Sequence, residues 1–590
     1  MYMNKQERDI LNAIYEEPFI NQRILAEKAG HSLGIVNRSV KSLMQMGYLD
    51  ENTELTEKAK AEFCDLAPCN AIILAAGFGM RMVPINTETP KGLLEVKGEV
   101  LIERTIRQLH EVGVTEIYIV VGFMKEKYEY LIDEYGVELI VNTEYAVKNN
   151  LHSMKRVLSH LSNSYIIPCD IWCAQNPYRS HELYSWYMVS NFVTSESSVR
   201  VNRKMELVSV PDLSGGNAMV GIAYLAGEQA ELVRERIRLL CQDAHFDGAF
   251  WEEALYEKNK MIVWARVMPD DCLAEINTYE QLREIDSDSN HLKSDVIKEI
   301  CDALQAETEE ISNIAVLKKG MTNRSFFFSC RGKKYIMRIP GEGTDQLINR
   351  RQEAAVYDAI KGKKICDDIV FMNPENGYKL TEFLDHARVC DPLNPEDVRK
   401  CMRRLRAFHE QKLKVDHEFD IFGQIEFYET LWNGLPSVYK DYEETKAKVL
   451  SLKPYIEKHK KECVLTHIDA VPDNFLFVMT GEGLEELRLI DWEYAGMQDP
   501  HVDIAMFGIY SLYDRQQMDD LISAYFNEGC TKEDRIKIYC YVAACGLLWS
   551  NWCEYKKQLG VEFGEYSLRQ YRYAKEYCKI VQNEWEEGAC

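Results

Sequence analysis

Positive charge is what this 590-residue sequence is short of: 70 lysines and arginines face 94 aspartates and glutamates, a formal net charge of −24. Most of such a surface would repel a polyanion, which excludes wholesale nucleic-acid binding. Phosphate-rich ligands must instead be met by a few local cations and a metal ion. No uninterrupted apolar run approaches membrane-spanning length, and the opening residues Met1–Arg8 lack the apolar core of a secretory signal. Eighteen cysteines are present, but none falls in Cys-x-x-Cys spacing, so zinc and disulfide frameworks are poorly supported. These absences predict a cytoplasmic chain with reduced thiols and no membrane association. What is there is apolar and aromatic enough (46% and 11%) for folded globules. The length exceeds one core, so three or four domains are expected.

The pivotal stretch is Ala71-Ile-Ile-Leu74-Ala75-Ala76-Gly77-Phe-Gly79-Met-Arg81, closing on Thr89-Pro90-Lys91. A short apolar run without helical period reads as a buried strand, and the glycines after it as a tight loop. Glycine lets backbone N–H groups approach a polyphosphate where a Cβ would intrude. Arg81 and Lys91 supply positive charge. Apolar strands follow at Ile117–Val121, Leu139–Val141 and Tyr165–Ile167, with a helix from Leu101, which predicts an open α/β sheet binding ligand at its carboxyl edge. Asp170 ends the fourth strand, where a carboxylate binds a cation, caps a helix or pairs with a base. Asn149, Asn150 and Ser153 suit a helix cap by local rules.

The combination Leu74-Ala-Ala-Gly-x-Gly-x-Arg81…Pro90-Lys91 resembles the signature of sugar-phosphate and phosphocholine nucleotidyltransferases, and the resemblance covers about 67–290. It implies a CTP:phosphocholine cytidylyltransferase with a Rossmann-like sheet. Residues Leu74–Gly77 and Gly79, with Asn149, Asn150 and Ser153, would hold the nucleotide. Lys91 and Arg81 would be catalytic. Asp170 and Glu275 would hold Mg²⁺. The family pattern has Asp where this chain has Asn277, which puts metal coordination there in doubt. Asp247, Phe250, Trp251 and Trp172 are candidates for a wall against a trimethylammonium group, although tryptophans are more often core.

Residues 1–66 place apolar faces on three short helices (Leu11, Ile14 and Ile20; Ile24, Leu25 and Ala29; Ile35, Val36, Val40, Leu43 and Met44), followed by strand-like spacing to Leu55. This looks like a winged helix-turn-helix. DNA binding and a docking or dimerisation role both stay open, because Arg38 and Lys41 make only a thin basic face.

After the polar turn Asp286–Asn290, residues 291–590 resemble choline kinases and the aminoglycoside phosphotransferase group, an α+β protein-kinase-like fold. The resemblance rests on His467-Ile-Asp469-Ala-Val-Pro-Asp473-Asn474 and Leu489-Ile-Asp491-Trp-Glu493-Tyr494. It implies that Asp469 takes the substrate hydroxyl proton and that Asn474 and Asp491 hold Mg²⁺ on ATP. Asn323, in Gly320-Met-Thr-Asn323, would lie over the phosphates. Arg338 stands where protein kinases use lysine, with Glu353 as partner, and Thr381-Glu382 would be the hinge against adenine. Trp549 and Trp552, three apart, share a helix face; with Glu493 and Tyr494 they would cage a quaternary ammonium, or simply be core.

The expectation is therefore a two-step enzyme of the kind that bacteria use to decorate surface polymers: choline to phosphocholine with ATP, then to CDP-choline with CTP. Ethanolamine or an aminophosphonate in place of choline, or a DNA-binding regulator that senses choline or CDP-choline, are the alternatives. The oligomeric state, a homodimer included, stays open.

Overall fold

The computed structural model describes residues 3–587 except 20, 212–214, 318–322, 342–346, 368, 480–484, 527, 559–560 and 562; at 80, 87, 323, 586 and 587 it describes the backbone alone. The chain forms two compact units, Met1–Glu299 with Ile314–Val316, and Ile300–Asn313 with Leu317–Cys590. The boundary read at 290/291 lies a little before the point where they part, which falls inside the helix Asp295–Leu304.

In the first unit, helices Lys5–Glu16, Gln22–Ala29 and Leu33–Gln45 bury Ile10, Leu11, Leu25, Val36 and Leu43 together. The first is started by a reciprocal Asn4–Glu7 capping box, and the second is stopped by Gly30 at φ 67°. The expected ribbon is reduced to one antiparallel bridge, Leu49 to Leu55; Ile20 lies outside the described residues. This head is fastened to the sheet domain beside it. Leu183 enters its core, the Arg8 guanidinium donates to the Leu183 carbonyl, and Tyr184 donates to Asp9 at 2.8 Å.

The large sheet runs in the order 138–141, 117–121, 70–75, 164–168, 216–225, 186–194, 260–268, 206–209, 199–201. The first four strands are parallel, and Gly216–Leu225 joins them antiparallel. Both faces are covered. Ala71, Ile73 and Ala75 enter one apolar cluster while Ile72 and Leu74 enter another. A strand buried on both sides must be apolar throughout rather than alternating, which explains the continuous run that marks it in the sequence.

The second unit has an antiparallel sheet, ordered 323–330, 333–340, 379–382, 369–372. It also has a helical region centred on the long helix Lys532–Gln558, which packs against Glu565–Glu587. A Cβ on Gly546 would meet the Gln570 carbonyl at 2.7 Å, so the two helices approach closely only because that side chain is missing.

Inside this region Lys537 is wholly buried on Asp499, Nζ to Oδ2 at 2.7 Å. Asp499 also accepts from the amides of Lys461 and His501, both at 3.0 Å. Removing one partner of a satisfied buried pair strands the other charge, at a cost of about 3–5 kcal/mol. Lys537→Met should therefore lower the urea midpoint of the transition that unfolds this unit by that equivalent; a change below about 1 kcal/mol would contradict the assignment.

Candidate active sites

The first pocket opens at the carboxyl edge of the parallel strands, with a volume of about 1070 Å³. Leu74, Ala76, Gly77, Gly79, Arg81, Lys91, Asn149, Asn150, Ser153, Asp170, Glu275 and Asn277 all line it. Ala75 does not; its side chain is in the core. Gly79 sits at φ 58°, which glycine adopts without strain. A Cβ on Gly77 would meet nothing within 4 Å, so the room a side chain would take stays open to a ligand.

The strand's apolar register delivers Gly77 to this edge, and Lys91 follows from the loop behind it. Lys91 Nζ donates to Asp170 and, at 2.5 Å, to Asn277 Oδ1. Arg81 donates to the same Asn277 oxygen at 3.1 Å. The short ribbon of Ile171–Cys173 with Leu273–Glu275 holds Glu275 near Asp170. Burial, and then the neighbouring Asp170 charge, raise the Glu275 carboxyl above its ordinary range. Two carboxylates crowded beside Lys91 in this cavity fit a divalent cation. Asn277 does something else, since its oxygen fixes the two basic side chains.

Asn149 caps the helix Asn150–Val157 and donates to the Gly248 carbonyl at 3.0 Å. Asn150 accepts from the Trp251 amide at 2.8 Å, and Ser153 from Asn142 at 3.1 Å. Three of the proposed cation-wall residues stand elsewhere. Trp251 is 1% exposed and belongs to the core, because its large apolar area is worth most there. Trp172 is covered by Lys97, 4.2 Å from the ring centre, and by Arg104. Asp247 is paired with Lys148 at 3.3 Å and His152 at 3.0 Å. Only Phe250 of that set reaches the cavity, together with Glu252, Tyr187 and Tyr256, which sequence reasoning missed.

The second site is built on the strand Lys333–Pro340. Arg338 is buried and makes a two-pronged pair with Glu353 of the helix Arg350–Ile360, at 2.5 and 2.9 Å. Asp491 lies 3.7 Å from the same guanidinium. The expected cage carboxylate Glu493 turns into this cluster instead, 3.8 Å from Arg338 and 3.5 Å from Arg350; a buried carboxylate goes where cations already are. Glu382, at its strand's end, pairs with Lys333 at 2.9 Å. The turn 320–322 lies outside the described residues, and of Asn323 only the backbone, which opens the strand to Cys330, is described.

Asp469 follows the strand Val464–Thr466, in a loop where Ile468 takes φ 67°. Asn474 donates to its carbonyl at 2.9 Å and to its carboxylate at 3.2 Å. Burial, and then the charges of Asp491 and Glu493, push the Asp469 carboxyl up to about 8. That excess of negative charge again fits a cation. The loop is anchored by Asp503, which accepts from the amides of His467 and Ile468 at 2.9 and 2.7 Å and faces His409 at 2.9 Å. Asp503 was missed, although an acid at the start of the apolar run Val502–Ile509 was its signal. Tyr494, Trp549 and Trp552 meet edge to face, with centroids 5.5 Å apart in both pairs. The Tyr494 hydroxyl and Trp552 Nε1 are both buried at this corner. Among the described residues no three His, Cys, Asp or Glu side chains form a metal-holding group, so at either site ligand oxygens would have to complete a metal shell.

A family model described as choline/ethanolamine kinase matches residues 314–542, one described as MobA-like NTP transferase domain matches 71–180, and one described as winged helix-turn-helix DNA-binding matches 3–50. The choline-phosphate cytidylyltransferase of Streptococcus pneumoniae is 30% identical over 220 residues, 37% of this chain and 96% of that protein. The 2-aminoethylphosphonate cytidylyltransferase of Lancefieldella rimae is 30% identical over 195 residues, 32% of this chain and 78% of that protein. Protein LicA of Haemophilus influenzae is 26% identical over 265 residues, 42% of this chain and 96% of that protein.

Proposed function

The chain belongs to the choline-phosphate cytidylyltransferase family through its middle segment, and on that premise we propose that it makes CDP-choline in two steps. The unit carrying Asp469 transfers the γ-phosphoryl group of ATP to choline. The pocket carrying Lys91 transfers CMP from CTP to phosphocholine, releasing pyrophosphate. The observation that carries this reading is the presence in one polypeptide of two different centres, a basic one of Lys91 with Arg81 and Asn277, and an acidic one of Asp469 with Asn474. In domain terms we assign 1–66 to the winged helix, 67–290 to the cytidylyltransferase and 291–590 to the kinase.

In the kinase step the choline hydroxyl attacks phosphorus and ADP departs. Asp469 receives the hydroxyl proton, its carboxylate made more basic than an ordinary one by burial and the charges of Asp491 and Glu493. Arg338, fixed by Glu353, balances phosphate charge. In the cytidylyl step a phosphocholine oxygen attacks the α-phosphorus of CTP, so two anions must meet. Lys91 and Arg81, aimed by Asn277, neutralise the crowded oxygens and the departing pyrophosphate. Asn474 and Asp491 in one pocket, and Asp170 and Glu275 in the other, would hold Mg²⁺, whose contribution is charge neutralisation on the polyphosphate. Dependence on ATP and CTP supports a cytoplasmic location.

Asp469→Asn should abolish product formation from choline, by about 10²-fold or more, and leave conversion of phosphocholine intact. Lys91→Ala should do the reverse. Loss of both steps in either variant, or of neither, contradicts the assignment. The aromatic corner of Tyr494, Trp549 and Trp552 favours a quaternary ammonium by roughly 2 kcal/mol and offers three N–H donors a single acceptor, the Tyr494 hydroxyl. The kinase step should therefore prefer choline to ethanolamine by about 10–100-fold in kcat/KM; equal turnover would refute the cage.

For the first domain the DNA-binding reading has one observation in its favour, the exposure of Asn37, Arg38 and Lys41 on its third helix. Full-length protein should then shift duplex DNA at low salt and release it as salt rises; no shift at low salt contradicts that reading.

A further inference from the structure

In the second unit a cavity of about 320 Å³ opens between the helix Pro395–His409 and the ribbon of Phe475–Met479 with Glu485–Leu489. The ribbon lines it with Phe477 and Leu487, and the helix with Lys400, Arg403 and Arg404, which share a helix face. Glu485 is the one carboxylate in this lining, and it is already engaged. It accepts from Lys400 at 2.8 Å and from Arg388 at 3.1 Å. Three cations against one carboxylate leave two positive charges in excess. Arg403 is exposed and, among the described residues, forms no ion pair. Arg404 donates to the Lys364 carbonyl, and its Nε is buried without a hydrogen-bond partner. The loop it holds there adds three exposed lysines, Lys361, Lys363 and Lys364. Burial, and then the neighbouring Arg488 charge, lower the Arg404 guanidinium below its ordinary range. Like charges brought together cost energy that a bound anion recovers.

From this cavity and its cations we infer an anion-binding site apart from both reacting centres, one that takes a small soluble anion bearing at least two phosphate charges. Guanidinium groups match phosphate oxygens in geometry as well as charge, and two of the three lining cations are arginines. The excess of two positive charges sets the charge of the ligand. A lipid headgroup offers the same phosphate, but it lies in a broad flat surface. A concave cleft of this size, with its cations along one wall and apolar side chains along the other, suits a free ligand. In a chain of net charge −24 the site stands out as a local reversal of sign, and neither transfer reaction uses it.

The test is calorimetric titration of the full-length protein with inorganic pyrophosphate at low salt, with EDTA present so that no metal bridges the ligand to carboxylates. Wild-type protein should show a binding component that persists in Lys91→Ala, and so does not belong to the cytidylyl pocket. Arg403→Glu should weaken that component by about tenfold or more, whereas Arg403→Lys, which keeps the charge, should hold it within about threefold. Without pyrophosphate Arg403→Glu should carry out both transfers at the wild-type rate, because the residue touches neither centre. A component that disappears in Lys91→Ala, equal affinity in Arg403→Glu, or loss of either transfer in that variant overturns the inference. So does a wild-type protein that ignores pyrophosphate but sediments with phosphatidylglycerol vesicles, since the surface would then serve a membrane.

Discussion

Each site depends on a cation held in place by side-chain oxygens. In a chain of net charge −24, a polyphosphate is attracted only where lysine or arginine is fixed and aimed. Lys91 is fixed by Asp170 and Asn277, and Arg338 by Glu353, with Asp491 close by. The holding groups also stop the basic side chain from wandering, so its alignment costs little when the reaction occurs. Asn277 illustrates the division of labour. Where the family pattern has a carboxylate, a neutral amide lets one oxygen accept from two cations without cancelling their charge.

The kinase centre adds backbone constraint to charge. Ile468 and Asp491 both take left-handed backbone, at φ 67° and 66°. Such conformations persist only where the surroundings over-determine them. Asp503 supplies part of that constraint, collecting two consecutive amides of the loop. Through the loop it sets where Asp469 sits, although nothing suggests that it touches a substrate.

Much of this was legible in the sequence because the chemistry is encoded at short range. The strand, the two glycines and Lys91 fall within about twenty residues, and Asp469 and Asn474 within one turn. Those patterns place a strand edge and a loop whatever the rest of the chain does. What was not legible is direction. Trp251 and Glu252 are neighbours, yet one faces the core and the other the cavity. Glu493 stands beside Tyr494 but turns to Arg338 and Arg350, partners set by tertiary packing. The fastening of the amino-terminal head through Arg8 and Leu183, far apart in sequence, had no local signal.

Two chemically distinct transfers by one chain are the central claim, and ³¹P NMR of a single incubation tests it most directly. With choline, ATP, CTP and Mg²⁺, a phosphocholine resonance should rise first and be replaced by the diphosphate pair of CDP-choline with release of pyrophosphate. Omitting ATP should stop the sequence at its start, and supplying phosphocholine should bypass that block. Failure to form CDP-choline from phosphocholine and CTP, or its formation from choline without ATP, would contradict the account.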